Sequence, residues 1–124
     1  MNSDKLDSMF EKREAFMRAI TDKFECYPQW PVDISVKSNQ AAMRDIALKG
    51  VEEMFEALQH LKNWKDHKLN CDETFDRTEF LEEIVDAFNY FFALLILVGV
   101  DANELYDAYL AKDLKIHDRL DGNY

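Results

Sequence analysis

Two short acidic segments share one pattern, and their residue types suit metal chemistry. The first is EEMFE at residues 52–56, and the second is EEIVD at residues 82–86. On a helix, residues three apart lie about 60° apart around the axis and about 4.5 Å apart along it. Glu53 with Glu56, and Glu83 with Asp86, can therefore each point the same way. The intervening chain is long enough for a loop and a returning helix, so we expect the two pairs to face each other.

Four carboxylates that face one another repel, and cations between them relieve the repulsion. All four are hard oxygen donors, and neither segment holds a His or Cys at helical spacing. This favours Mg²⁺, with Mn²⁺ as the other candidate, over zinc, and the Glu-x-x-His pairs of di-iron sites are absent. The alternative is that both segments are solvated helix faces without a metal.

The elements that must position these carboxylates are predicted to be helices. Apolar residues recur at helical spacing in four segments, and Pro28 and Pro31 interrupt the pattern between the first two. The predicted helices are 4–24, 38–65 with Ser38 as N-cap, 76–99 with an Asp76/Glu79 capping box, and 101–116 with an Asp101/Glu104 capping box. We therefore predict an all-α fold, a four-to-five-helix bundle with antiparallel central helices, forming one domain over residues 1–124.

Composition and charge narrow the class of protein. The chain has 124 residues with only Gly 3 and Pro 2, too few turn formers for a sandwich or barrel. Its net charge of −10 argues against a nucleic-acid-binding surface. No signal peptide is recognisable, and the apolar run 90–100 is about half of a bilayer span. We expect a soluble cytoplasmic protein without membrane contact, with Cys26 and Cys71 reduced.

The run 90–98 (YFFALLILV) is apolar on nearly every side of its helix. Such a helix must be surrounded, either at the centre of a bundle or at a subunit interface. We therefore expect a homodimer or a higher homo-oligomer that completes the bundle.

The C-terminal segment 109–124, YLAKDLKIHDRLDGNY, carries a family resemblance together with the acidic segments. EExxE followed by EExxD resembles the all-α nucleoside triphosphate pyrophosphatase superfamily (MazG-like). The tail resembles the motif Y-x-x-K-N-x-x-N-H-x-R-x-x-x-G-Y of its dimeric dUTPase/dCTPase branch, with Lys112, His117, Arg119 and Tyr124 in register. LKNWK at 61–65 resembles that branch's F-K-x-W-K segment. The short chain is similar to a compact phage-type or bacterial form, which would act in the cytoplasm (the host's, if phage-encoded).

The resemblance implies a Mg²⁺-dependent enzyme that converts a deoxynucleoside triphosphate into the monophosphate and pyrophosphate. It assigns four metal ligands, of which Glu53 and Glu56 are also catalytic, with Glu53 placed to activate water. The implied metal ligands are Glu53, Glu56, Glu83 and Asp86; the implied phosphate-binding residues are Lys112, Arg119 and Tyr124; the implied base- and sugar-binding residues are Arg13, Trp64 and Asn89.

Four positions, in three parts of the chain, depart from the family pattern and bear on the substrate. Arg13 stands where a Gln is common, Asn89 where a His is common, and the tail's two Asn positions are Asp113 and Ile116. A guanidinium only donates hydrogen bonds, which favours uracil carbonyls over a cytosine amino group. We therefore expect dUTP as substrate, with dCTP second. The alternatives are a broad-specificity house-cleaning pyrophosphatase and a non-enzymatic helical interaction module.

Overall fold

The computed structural model describes residues 4–68 and 75–123, and within these ranges the regular structure is helical, with no strand. The elements are α1 (Lys5–Thr21), α2 (Lys37–Leu58), α3 (Arg77–Leu97), α4 (Ala102–Asp118) and a C-terminal π-helical turn, Arg119–Asn123. The predicted all-α fold class is confirmed. No single helix in the described ranges is both long and apolar enough to cross a membrane; the bent pair Arg77–Leu97 and Ala102–Gly122 reaches that length and composition jointly.

Aspartate caps begin three of the helices. The Asp4 carboxylate accepts a hydrogen bond from the Asp7 amide at 2.8 Å, which starts α1. Asp76 and Asp101 do the same for the amides of Glu79 and Glu104, at 3.0 Å and 2.8 Å, as their capping boxes predicted. These bonds satisfy amide groups that have no partner within the helix.

Gly99 ends α3 in a Schellman motif. The amides of Gly99 and Val100 donate to the carbonyls of Ile96 and Leu95, both at 3.0 Å, and Gly99 has φ 83°. That left-handed conformation is accessible to Gly without steric cost. The last helical residue is Leu97, and Gly99, the predicted end of the helix, belongs to its C-terminal cap.

Both predicted ends of α2 are wrong. The helix begins at Lys37 with Val36 as its N-cap, not Ser38, because the preceding turn is closed earlier by Asp33. The Asp33 carboxylate accepts from the amide and hydroxyl of Ser35, at 3.0 and 2.6 Å. The helix ends at Leu58 rather than Lys65, since the amides of Gln59, His60 and Leu61 bond to carbonyls three residues back and tighten the last turn.

The chain divides into two compact units, one made of Met1–Val32 with Leu95–Tyr124 and the other of Asp33–Leu94. In the first unit α1 packs against α4. The Val32 amide donates to the Leu97 carbonyl at 2.8 Å, which ties the segment after α1 to the end of α3. The buried apolar residues of this unit are Phe10, Met17, Ile96, Leu97 and Ala102. That residues 1–124 form a single domain stays a prediction.

In the second unit α2 and α3 pack against each other as an antiparallel pair. Gly50 lies against the Phe91 ring, Glu53 lies beside Asp86, and His60 meets the Phe80 ring edge-on at 6.4 Å. In these three contacts the residue numbers rise along α2 and fall along α3. The two helices are therefore antiparallel, as predicted. The buried side of this pair consists mostly of small or flexible residues: Met43, Ile46, Gly50, Ala57, Ala87 and Ala93.

The apolar run 90–98 is largely covered within one chain. Ala93, Ile96 and Leu97 are buried, the other residues from Tyr90 to Leu95 are half-buried, and only Val98 in this run is exposed. The predicted homo-oligomer stays a prediction. Cys26 is exposed and forms no disulfide, while Cys71 lies outside the described residues.

Candidate functional site

The antiparallel pairing of α2 and α3 brings three of the predicted metal ligands together. One carboxylate oxygen each from Glu53, Glu83 and Asp86 lies within 4.8 Å of the others. Glu53 and Glu83 are half-buried, and Asp86 is exposed. We call these three residues the acidic cluster. It arises because Glu83 and Asp86 are one turn apart on α3 and therefore share a side that meets α2 at Glu53.

The surroundings of Glu53 in the acidic cluster disfavour its ionised form. Burial raises the pKa of Glu53, and the negative charges of Asp86 and Glu83, followed by those of Glu56 and Glu52, raise it further. No described Lys or Arg side chain forms a salt bridge with a residue of the acidic cluster. Exposed acidic groups are common without a bound ion, so the geometry by itself shows a carboxylate cluster and not a metal centre.

Glu56 is the fourth predicted ligand, and it does not join the acidic cluster. Its side chain lies one turn beyond Glu53 on α2 and is exposed. Its charge nevertheless contributes to the raised pKa of Glu53. The structure therefore brings three of the four predicted carboxylates together and leaves Glu56 beside them.

Asn89 and Trp64 were predicted to contact the base or sugar. Asn89 is half-buried on α3, one turn after Asp86. Trp64 is 69% exposed in the irregular segment after α2, with the Lys65 ammonium 5.6 Å from its ring centroid. Asn89 is thus adjacent to the acidic cluster on the same helix.

Trp64 belongs instead to an open groove of about 720 Å³ at the end of α2. No residue of the acidic cluster lines this groove. Its lining combines apolar side chains with three lysines: Phe55, Leu58, Gln59, Leu61, Lys62, Asn63, Trp64, Lys65 and Lys68. Phe55 and Lys68 did not stand out in the sequence, where Phe55 reads as a core residue of α2. A base-binding role for Trp64 stays a prediction.

Arg13, also predicted to contact the base, is held by neighbours in the first unit. One of its guanidinium nitrogens donates to the Tyr27 hydroxyl at 2.8 Å, and the guanidinium lies 4.9 Å from the Phe16 ring centroid. The side chain is half-buried. These contacts explain why an Arg is tolerated in the apolar stripe of α1. The binding of a nucleotide base or sugar by Arg13 stays a prediction.

The predicted phosphate-binding residues lie on and after α4. Lys112 and Arg119 are both exposed. Seven residues are close to two helical turns, so both side chains project from the same side of the helix. Tyr124 lies outside the described residues. The structure thus presents two exposed cations about two helical turns apart, Lys112 on α4 and Arg119 immediately after it.

A second cavity, in the first unit, was not predicted from the sequence. It measures about 430 Å³ and is lined by residues of α1, the α3–α4 connection and Trp30. The Trp30 indole donates to the Glu14 carboxylate at 2.9 Å, and the Arg18 guanidinium lies 4.7 Å from the indole ring centroid. The bond from Trp30, and then that from Arg18, lower the pKa of Glu14. The sequence feature that could have indicated this cavity is a Trp between two prolines in the segment after α1.

Among these features, the acidic cluster is the one whose side chains suit metal binding or proton transfer. Three carboxylates at this spacing can hold a hard divalent cation or accept protons. Comparisons of the chain with protein-family models, with curated proteins and with solved structures find no match.

Proposed function

We propose that the chain is a Mg²⁺-dependent pyrophosphohydrolase, with Mn²⁺ as an alternative ion, that converts dUTP or dCTP into the monophosphate and pyrophosphate. The observation that carries the proposal is the meeting of Glu53, Glu83 and Asp86 across the α2–α3 pair. The resemblance of the tail and acidic segments to the all-α nucleoside triphosphate pyrophosphatases supports the same activity. Membership of that superfamily is part of the proposal.

The acidic cluster fits a magnesium ion by the chemistry of its donors. All three are carboxylates, which are the protein ligands that Mg²⁺ prefers, and the raised pKa of Glu53 marks negative charge that a cation would neutralise. Glu53, Glu83 and Asp86 would hold the ion, with Glu56 as the proposed fourth ligand. Bound there, Mg²⁺ would offset phosphate charge and lower the pKa of a coordinated water.

Glu53 is the proposed proton acceptor. Its carboxylate belongs to the acidic cluster and can accept a proton from a water molecule bound there. In the proposed step, water loses a proton to Glu53 while its oxygen attacks phosphorus. The α–β phosphoanhydride bond breaks, and pyrophosphate leaves.

Residues outside the acidic cluster are proposed to bind the rest of the substrate. Lys112 and Arg119 supply cationic donors for the phosphates, together with Tyr124. Asn89 can both donate to and accept from a pyrimidine edge. Arg13 and Trp64 complete the proposed base- and sugar-binding set. The roles of these six residues rest on the family resemblance and on donor chemistry.

The test is pyrophosphate release from a panel of dNTPs and NTPs, with Mg²⁺ and with chelator. We expect chelator-sensitive turnover of dUTP or dCTP, and loss of at least 100-fold in Glu83→Gln because the acidic cluster loses a charge. Glu82→Gln is the matched control, since the same substitution is made one residue away at an exposed position outside the acidic cluster. Turnover of every nucleotide would indicate a house-cleaning enzyme. Equal activity in both variants would refute the assigned site.

A non-enzymatic helical interaction module is the second candidate, and the exposed apolar residues of α2 and α3 favour it. This candidate predicts no turnover and no stabilisation by Mg²⁺. An increase in melting temperature with Mg²⁺ that a non-hydrolysable dUTP analogue enlarges would argue against it, because a ligand stabilises only the state that binds it.

A further inference from the structure

The cavity in the first unit has the size of a small-molecule site. Its volume of about 430 Å³ lies within the range of ligand pockets, which is roughly 300–1,000 Å³. Every residue that lines it belongs to the same compact unit, and no described residue of the proposed active site is among them. We call it the α1 cavity, because α1 supplies Asp7, Phe10, Glu11, Glu14 and Arg18 to its lining.

The inner part of the α1 cavity is apolar. Phe10, Ile96 and Ala102 line it and are buried. Trp30 is half-buried beside them, and its indole is held in one orientation because it donates to the Glu14 carboxylate at 2.9 Å. An apolar lining with an aromatic ring of fixed orientation favours a ligand that has a hydrocarbon body.

Carboxylates from two elements border this apolar lining. Asp7 and Glu11 lie one turn apart on α1 and therefore on the same side of it, and Asp101 lies in the connection between α3 and α4. None of the three forms a salt bridge within the described part of the chain. Burial, and then the negative charge of Asp4, raise the pKa of Asp7, and the charge of Glu11 adds to this effect. The cavity therefore holds negative charge that no described cation of the chain pairs with.

The carboxylates of the α1 cavity are too widely spaced to supply three ligands to one metal ion. In the described residues, the acidic cluster is the group of three acidic side chains whose ligand atoms lie within 4.8 Å of one another. The α1 cavity contains no such group, although four of the residues that line it are acidic. Separated negative charges around an apolar lining match a ligand whose positive charges are separated by hydrocarbon.

One side of the α1 cavity already binds an organic cation that belongs to the chain. The Arg18 guanidinium donates to the Glu14 carboxylate at 2.8 Å and lies 4.7 Å from the centroid of the Trp30 ring. A cation over the face of an aromatic ring is attracted by the negative face of the ring, and proteins recognise organic cations in this way. Because Glu14 is occupied by Arg18 and Trp30, the carboxylates that face a ligand are those of Asp7, Glu11 and Asp101.

We propose that the α1 cavity binds a linear aliphatic polyamine, with one ammonium group at Asp7 and Glu11, another at Asp101, and the methylene chain across the apolar lining. Ammonium groups donate hydrogen bonds to carboxylates, and a methylene chain is stabilised by burial against apolar side chains. This site involves neither the acidic cluster nor the proposed activity. Polyamine binding tests the one and pyrophosphate release tests the other.

The test is an NMR titration of the full chain with spermidine at constant ionic strength. The chain has two Trp residues. The indole N–H of Trp30 reports on the α1 cavity, the indole N–H of Trp64 is the internal control, and Trp30→Phe assigns the two signals. We expect a saturable shift of the Trp30 signal and no shift of the Trp64 signal. The absence of a saturable shift at Trp30 would overturn the proposal.

Two variants test the carboxylates on the two elements. Glu11→Gln and Asp101→Asn each remove one charge, and both should fold because Gln is a good helix former and Asn can cap a helix. Each should raise the dissociation constant of spermidine about fivefold, since an ammonium group loses a charged partner. Glu25→Gln is the matched control, because Glu25 is exposed in the same unit and does not line the cavity. Equal weakening by Glu25→Gln, or wild-type affinity in Asp101→Asn, would overturn the proposal.

A second cation separates binding in the cavity from simple attraction to a chain with a net charge of −10. Hexaamminecobalt(III) is trivalent, as spermidine is at neutral pH, but it has no hydrocarbon. We expect spermidine to shift the Trp30 signal with a dissociation constant at least about tenfold lower, because its methylene groups are buried against the apolar lining. Equal affinity of the two cations at Trp30 would overturn the proposal, since charge alone would then explain the binding.

Discussion

Asp86→Asn is expected to stabilise the metal-free protein, although it removes a residue proposed to be functional. Asp86 lies beside two other carboxylates, and its charge raises the pKa of Glu53. Asparagine has nearly the same shape and removes the charge, so the native state loses repulsion that the unfolded chain does not have. Its amide can also donate to a neighbouring carboxylate. A gain in stability from the loss of a functional group is typical of sites that gather like charges.

The magnitude follows from the spacing of the oxygens. Two unit charges about 5 Å apart in a medium like water repel by about 0.8 kcal/mol, and salt reduces this further. Asp86 has two such neighbours within 4.8 Å, and the site is largely exposed, so we expect a gain of about 1 kcal/mol in the free energy of unfolding. For a chain of this length that corresponds to a melting temperature higher by about 4 °C.

The pH dependence has a definite sign. Because the pKa of Glu53 is raised in the folded state, the folded state binds more protons than the unfolded state between pH 4.5 and that raised pKa. Stability therefore falls as the pH rises through this window. Asp86→Asn removes the largest like-charge cause of the shift, so the melting temperature of the variant should depend less on pH there. Differential scanning calorimetry of both proteins between pH 7 and 4.5 measures the difference.

Mg²⁺ should reverse the order of the two proteins. An ion present at ten times its dissociation constant stabilises the wild type by about 1.4 kcal/mol, while Asp86→Asn should gain little. Sodium chloride at equal ionic strength is the control, because screening alone stabilises the acidic cluster. A melting temperature of Asp86→Asn below that of the wild type without metal would refute the repulsion argument. Equal stabilisation of both by Mg²⁺ would place the ion elsewhere.

Two further predictions concern packing and hydrogen bonding away from the acidic cluster. Gly50→Ala should lower the free energy of unfolding by about 1 kcal/mol, because the new Cβ would lie 2.7 Å from the Phe91 ring and the cost of overpacking exceeds the gain in helix propensity. In a Phe91→Leu background the same substitution should be neutral or stabilising. Chemical denaturation measures the free energy of unfolding in both backgrounds. Trp30→Phe removes the indole donor, so the lowered pKa of Glu14 should rise toward 4.5 and the stability that Glu14 supplies above its folded pKa should shrink. NMR titration of the Glu14 carboxyl group checks this, and an unchanged pKa would contradict it.

The sequence predicted the start of a helix correctly where the start depends on a hydrogen bond between a side chain and the amide three residues later. The Asp76/Glu79 and Asp101/Glu104 pairs form the capping bonds that their spacing indicated. Ser38 failed because capping depends on which residue leaves the helical conformation, and the Asp33–Ser35 turn had already determined that. The early end of α2 has no strong local signal, since Gln59 to Lys65 contains neither Gly nor Pro.

Three of the four predicted ligands meet because their spacing within each helix is geometrically constrained and the pairing of α2 with α3 fixes the rest. Glu56 lies outside the acidic cluster although it is one turn from Glu53 on α2, because it is turned by about 60° from Glu53 around the helix axis. The hydrogen bond between Arg13 and Tyr27 could not be predicted from helical spacing either, because Tyr27 lies beyond the end of α1.

The division of α2 into a buried and an exposed apolar side was the least predictable feature of the fold. In the sequence, the apolar residues of α2 read as one stripe, but the fold buries Met43 and Ile46 and exposes Val51, Phe55 and Leu58. A helix with two apolar sides has the same composition as one with a single wide side, so only packing separates them.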